Sequence, residues 1–142
     1  MTPHREIQTE IVINSEPAEV WDVLTNGAEY SQWNPFITSM KGELVVGERI
    51  ENSMEATPGK PMTFRPRILV ADENRELRWL GRLMVPRVFD GEHYFILEAH
   101  ARGTRFVHGE KFRGVALWFM DVDRFADNFS SMNEALKVRV EQ

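Results

Sequence analysis

HYFILEAHARGTRFVHGEKF, His93 to Phe112, alternates in a way that sets the fold. One parity reads His93, Phe95, Leu97 and Ala99, then, past a turn, Thr104, Phe106, His108, Glu110 and Phe112. The other parity of the second half, Arg105, Val107, Gly109, Lys111 and Arg113, is far more polar. Period-two alternation on either side of a glycine-containing turn predicts a β-hairpin with one buried face. With Arg102-Gly103 as the turn, Ala101 faces Thr104. Counting outward then pairs Phe95 with Glu110, Leu97 with His108 and His93 with Phe112. The apolar face carries two histidines and a glutamate, and His93 sits diagonal to Glu110, about 7–8 Å away.

Further strands flank this hairpin. Glu6 to Ile13 alternates with Ile7, Thr9, Ile11 and Ile13 on one side. Ile37–Leu44, Glu48–Ala56, Met62–Asp72 and Leu77–Met84 read as strands, separated by Val46-Gly47, Pro58-Gly59 and Glu73-Asn74. Pro66 lies inside one of them and cannot donate to a ladder, which predicts a bulge or an edge there. Leu77, Trp79, Gly81 and Leu83 share the parity expected to face inward. Between the first and second strands, SEPAEVWDVLTNG predicts a short helix with Glu16 at the N-cap and Pro17 in the first turn. Val20, Trp21 and Leu24 form its buried stripe, and Asn26-Gly27 stops it. A second helical turn, Ala28 to Trp33, follows, and Asn34-Pro35 is a turn.

The chain from Val115 to Gln142 predicts one long helix. Trp118, Val122, Phe125, Phe129, Met132, Leu136 and Val140 recur at steps of four and three, opposite Asp123, Asp127, Ser130, Glu134 and Lys137. Such a helix reaches roughly 35–40 Å. About seven antiparallel strands curl under their own twist, and the helix then lies across the concave face. Space remains between them where side chains are small.

The 142 residues make one domain, 1–142, with 42% hydrophobic and 27% charged residues. The net charge of −5 argues against nucleic acid as a partner. The absence of cysteine removes disulfides, thiol nucleophiles and thiolate metal sites. The first ten residues, MTPHREIQTE, lack an apolar signal core, and no apolar run spans a bilayer, so a cytoplasmic location without membrane insertion is expected. There is no GxSxG, GxGxxG or P-loop motif.

IVINSEPAEVWDVLTNGAEYSQWNPF (Ile11 to Phe36), GERI, ELRW, FDGEHYFILE, GTRFVHGEKFRG and SMNEALKVRVE occur in that order. In these segments the chain resembles the START-like or SRPBCC superfamily, which includes polyketide cyclase/dehydrase-like and lipid-transport-like proteins. The resemblance spans nearly the whole sequence. It implies an α+β helix-grip fold, with a curved antiparallel sheet wrapped around the C-terminal helix. It also implies an apolar pocket for hydrophobic or aromatic molecules. The superfamily has no universal catalytic motif, so no catalytic role carries over.

Within that frame Trp79, His93, Phe95, His108, Glu110, Phe112, Trp118, Phe125 and Phe129 are the candidate ligand-binding residues. Glu110, His93 and His108 are the candidate acid/base groups. A carboxylate on an apolar face is bonded, wet or protonated; Glu110 is therefore a satisfied structural residue, a ligand contact or a general acid/base. His93, His108 and Glu110 also make a two-histidine, one-carboxylate set. No helix motif supports a metal there, and none is expected. No cofactor is expected. The leading function is binding of a small hydrophobic molecule, which is also the expected partner, with a homodimer as a further option. The alternatives are a cyclase-, aromatase- or dehydratase-like enzyme and an Hsp90-activator-like protein-interaction module.

Overall fold

The computed structural model describes residues 2–83 and 87–142. The strands run β1 (His4–Ile13), β2 (Ile37–Lys41), β3 (Glu51–Thr57), β4 (Lys60–Phe64), β5 (Arg67–Asp72), β6 (Glu76–Leu83), β7 (Phe89–His100) and β8 (Gly103–Arg113). Helix α1 (Pro17–Leu24) and a 3₁₀ segment (Gly27–Gln32) join β1 to β2, and α2 (Phe125–Glu141) closes the chain. All strand pairs are antiparallel, in one sheet of order β1-β8-β7-β6-β5 and a second of order β2-β3-β4. The segment entering β3 stitches the two together. Ile68 N donates to Glu48 O (2.9 Å), Gly47 N to Ile68 O (2.9 Å) and Ile50 N to Pro66 O (3.0 Å). The architecture is the predicted α+β curved antiparallel sheet with a C-terminal helix. Among the described residues there are eight strands, because the segment Met62–Asp72 breaks at Arg65-Pro66. Pro66 has no N–H for the ladder and uses its carbonyl to hold Ile50. Met84 and the side chain of Leu83, predicted on β6, lie outside the described residues.

The N-terminal helix follows its sequence signals. Glu16 is extended at the N-cap (φ −67°, ψ 154°), Pro17 opens the helix, and Val20, Trp21 and Leu24 are buried. The C-terminal helix departs from its prediction. Val115–Trp118 is a separate 3₁₀ turn, and α2 begins only at Phe125. Asp121 Oδ1 accepts from Asp123 N (2.9 Å), a local side-chain turn that competes with helix. The 17 residues of α2 therefore span about 25 Å. From Phe125 onward the predicted stripe holds: Phe129, Met132 and Leu136 are fully buried. Burial contributes about 1.5–3 kcal/mol for each such side chain, and α2 packs against β1, β8 and α1.

The β7–β8 register also differs. Ala101-Arg102 form the turn, and His100 pairs with Gly103. Gly103 has φ 133°, and a Cβ there would lie 2.6 Å from Ile13 O and Ser15 N. That close approach to the end of β1 puts Gly103 in the ladder rather than in the turn. Each pair slides by two, so the faces keep their predicted parity. His93 now sits directly opposite Glu110, Phe95 opposite His108 and Leu97 opposite Phe106.

Candidate functional site

A cavity of about 190 Å³ lies between the two sheets beside the start of α2. Trp79 and Gly81 of β6, Gly91 and His93 of β7, and Glu110 and Phe112 of β8 form one wall. Asn52, Met54 and Ala56 of β3, with Met62 and Phe64 of β4, form the facing wall. Alternation explains this second set: Asn52, Met54 and Ala56 are two apart, and Asn52 and Met54 pair with Phe64 and Met62. Met62, Met120, Arg82 and Arg124 are exposed and mark the mouth, whereas Asn52, Trp79 and His93 are buried and mark the inner end. Two glycines make room. Gly81 and Gly91 are paired, and a Cβ on Gly91 would lie 2.2 Å from Glu110 Oε2.

Glu110, the one carboxylate among the described lining residues, starts a buried chain of hydrogen bonds. Its Oε1 lies 3.1 Å from His93 Nδ1, and His93 Nε2 lies 2.7 Å from His108 Nε2. His108 Nδ1 is 2.8 Å from Asn133 Oδ1 on α2, and Asn133 Nδ2 donates to Thr9 Oγ1 at 2.8 Å. Thr9 Oγ1 closes the loop by donating to the His108 carbonyl (2.9 Å). Aromatic rings hold both imidazoles: His93 stacks on Trp79 (5.2 Å, 21°) and His108 on Phe129 (4.4 Å, 20°).

These bonds assign the protons. The Thr9 hydroxyl hydrogen is used on the His108 carbonyl, so Thr9 Oγ1 accepts from the Asn133 amide. Asn133 Oδ1 is thereby turned to His108 Nδ1, which carries a hydrogen. Burial holds the His108 pKa well below the ordinary imidazole value, and charge on His93 pushes it the same way, against the bonds to Asn133 and the Phe129 backbone. His108 is neutral, and its Nε2 is a lone pair. His93 Nε2 is then the donor between the rings. His93 Nδ1 is the ring atom that meets Glu110 Oε1, so an imidazole and a carboxyl group are in direct contact on the cavity wall.

The structure brings together Trp79, His93, Glu110, Phe112 and Phe125 on the cavity. Phe95, His108 and Phe129 stand behind the wall. The His108 ring is packed between Phe95 (4.6 Å) and Phe129, and both its nitrogens are engaged, so it touches the cavity only through His93. Trp118 is 63% exposed and outside the lining, because the helix that would have turned it inward starts seven residues later, at Phe125. His93, His108 and Glu110 bond to one another in sequence rather than converging on a point. Among the described residues no three side chains are grouped to hold a metal ion.

Two residues escape the sequence reading. Asn52 shares the parity of Ile50, Met54 and Ala56 in Glu48–Ala56, and this polar residue on an apolar parity was the available signal. Asn133 follows the buried Met132 on α2; only the three-dimensional packing places it against His108.

Residues 4–141 match the family described as polyketide cyclase / dehydrase and lipid transport. The chain belongs to this family. Its fold is shared with solved structures of low identity, which bear on fold alone. The Zhui aromatase/cyclase from Streptomyces sp. R1128 has a TM-score of 0.77 at 14% identity, over 98% of this chain and 94% of that one. Ara h 8.0201 has 0.73 at 14%, over 98% and 99%. The AHSA1-like protein from Aeromonas hydrophila has 0.69 at 18%, over 96% and 92%. No curated protein matches the sequence. As a member of the polyketide cyclase/dehydrase and lipid transport family the chain has the helix-grip fold, and among the described residues no helix is long and apolar enough to cross a membrane.

Proposed function

We propose that the protein binds a small aromatic or hydrophobic molecule in the cavity between its two sheets. The observation that carries this is a carbon-lined cleft that meets a single hydrogen-bonded pair, Glu110–His93, at its inner wall. Apolar walls with a few placed polar groups are the usual composition of a small-molecule site. An apolar cavity of roughly 150 Å³ holds one benzene ring, so about 190 Å³ suits one or two rings. Family membership agrees with a small hydrophobic ligand.

Gly81→Leu tests the reading. A Cβ on Gly81 meets nothing closer than 3.9 Å, so a side chain there extends into the cavity without backbone conflict. Naphthalene titrated against the wild type is expected to bind and to change Trp79 fluorescence. The Gly81→Leu protein is expected to fold and to bind at least tenfold more weakly. Equal binding by both would refute the assignment of the site.

A second reading is favoured by the direct contact of Glu110 Oε1 with His93 Nδ1 on the cavity wall: acid/base chemistry of the cyclase, aromatase or dehydratase kind. Glu110 would exchange a proton with the bound molecule while His93, fixed by His108 and Asn133, holds its counterpart. Turnover of an aromatic polyketide-like substrate lost in Glu110→Gln, with binding retained, is the result this reading expects. Binding without turnover in the wild type leaves the protein a carrier.

A further inference from the structure

Asn52 is 0% exposed, and neither its Oδ1 nor its Nδ2 has a hydrogen-bond partner among the described residues. Leaving both ends of a buried amide unbonded is destabilising, and buried polar groups are otherwise paired. The other two buried asparagines show the contrast. Asn34 Oδ1 accepts from Phe36 N and Ile37 N and only its Nδ2 lacks a partner among the described residues, and Asn133 uses both amide atoms. In the ladder Asn52 lies between Met40 of β2 and Phe64 of β4, and with Met54 it lines the cavity. On the wall across from it, Glu110 Oε1 faces His93 and leaves Oε2 beside Gly91.

We propose that Asn52 is a ligand-recognition residue, and that the preferred ligand is a flat, uncharged, ring-sized molecule with a neighbouring donor and acceptor: a carboxamide, lactam or hydroxy-carbonyl edge. The inference rests on the cavity being a binding site and names what that site selects. An amide offers one acceptor and two hydrogens side by side. A ligand carboxylate would satisfy Nδ2 and leave Oδ1 against another acceptor. An ammonium would satisfy Oδ1 alone. A neutral donor–acceptor edge satisfies both ends, while the ring lies between Met54 and Trp79.

Benzamide and ethylbenzene, of similar size and differing in that edge, separate the possibilities in NMR titrations of wild type and Asn52→Leu. Benzamide is expected to bind Asn52→Leu at least tenfold more weakly, because both of its hydrogen bonds to the amide are lost. Ethylbenzene is expected to bind it as well as, or better than, the wild type. Without ligand, Asn52→Leu is expected to melt no lower than the wild type, because it removes an unbonded amide. Asn52→Ala, which adds no bulk, repeats the comparison and is expected to show the same loss of benzamide selectivity. Unchanged benzamide binding in both variants, or a parallel loss of both probes, would overturn the inference while leaving the binding site intact. So would a lower melting temperature in both variants, which would mean the amide is bonded within the fold. Failure of both probes to bind the wild type would instead remove the binding site itself.

Discussion

Replacing Asn133 by leucine tests the hydrogen-bond chain at the point where it leaves the sheet for α2. Asn133 is 2% exposed, and the substitution keeps the branched shape and the number of side-chain heavy atoms while removing the amide. Two bonds are lost. The Thr9 hydroxyl still donates to the His108 carbonyl at 2.9 Å, so its share of the cost is small. The His108 Nδ1 hydrogen is left without a partner in a ring that is fully buried. An orphaned buried donor costs about 1–3 kcal/mol, and a net loss of about 2 kcal/mol is expected. For a domain of this size that lowers the melting temperature by roughly 6–10 °C. Urea denaturation should show a lower midpoint with an unchanged slope. Imidazole ¹⁵N shifts should show His108 losing its single tautomer. A variant as stable as the wild type, with His108 still protonated only at Nδ1, would refute the assignment of protons along the chain.

Stability should fall on acidification. Unfolded, His108 takes up a proton near 6.5; folded, it resists protonation until well below that value. Between the two the unfolded chain binds more protons, so the contribution is whole above about pH 6.5 and is lost below it, at up to about 1.4 kcal/mol per pH unit. Denaturation curves between about pH 7.5 and about pH 5.5 should show this dependence in the wild type and a weaker one in His108→Leu; equal slopes would contradict a neutral buried His108. Trp118→Ser should change stability by no more than about 0.5 kcal/mol, because the ring is mostly in solvent. A loss of several kcal/mol would mean that the tryptophan packs inward after all.

Period-two patterns were the most legible feature of the sequence, because a strand with one buried face writes its parity directly into residue type. The His93–Phe112 hairpin kept that parity even though its turn was misplaced. A turn shifted by one residue moves each pair by two positions and turns no side chain over. That shift still mattered for the site, since it converts His93 and Glu110 from diagonal neighbours into a direct pair. The start of α2 was hidden for another reason. Trp118 and Val122 continue a helical period, but Asp121 offers the backbone a local bond that periodicity does not register. Asn52 and Asn133 are polar residues whose meaning depends on what faces them, and that is set by the packing of elements distant in sequence.

The central claim is that a small aromatic molecule enters between the sheets and stops beside Glu110 and His93. Intermolecular NOEs to naphthalene in isotope-labelled protein test it most directly. Contacts from the ligand to the Met54 methyl, the Trp79 indole and the Phe112 ring are predicted. Contacts confined to the exposed Trp118–Phe119 surface, with none to Trp79 or Met54, would contradict it.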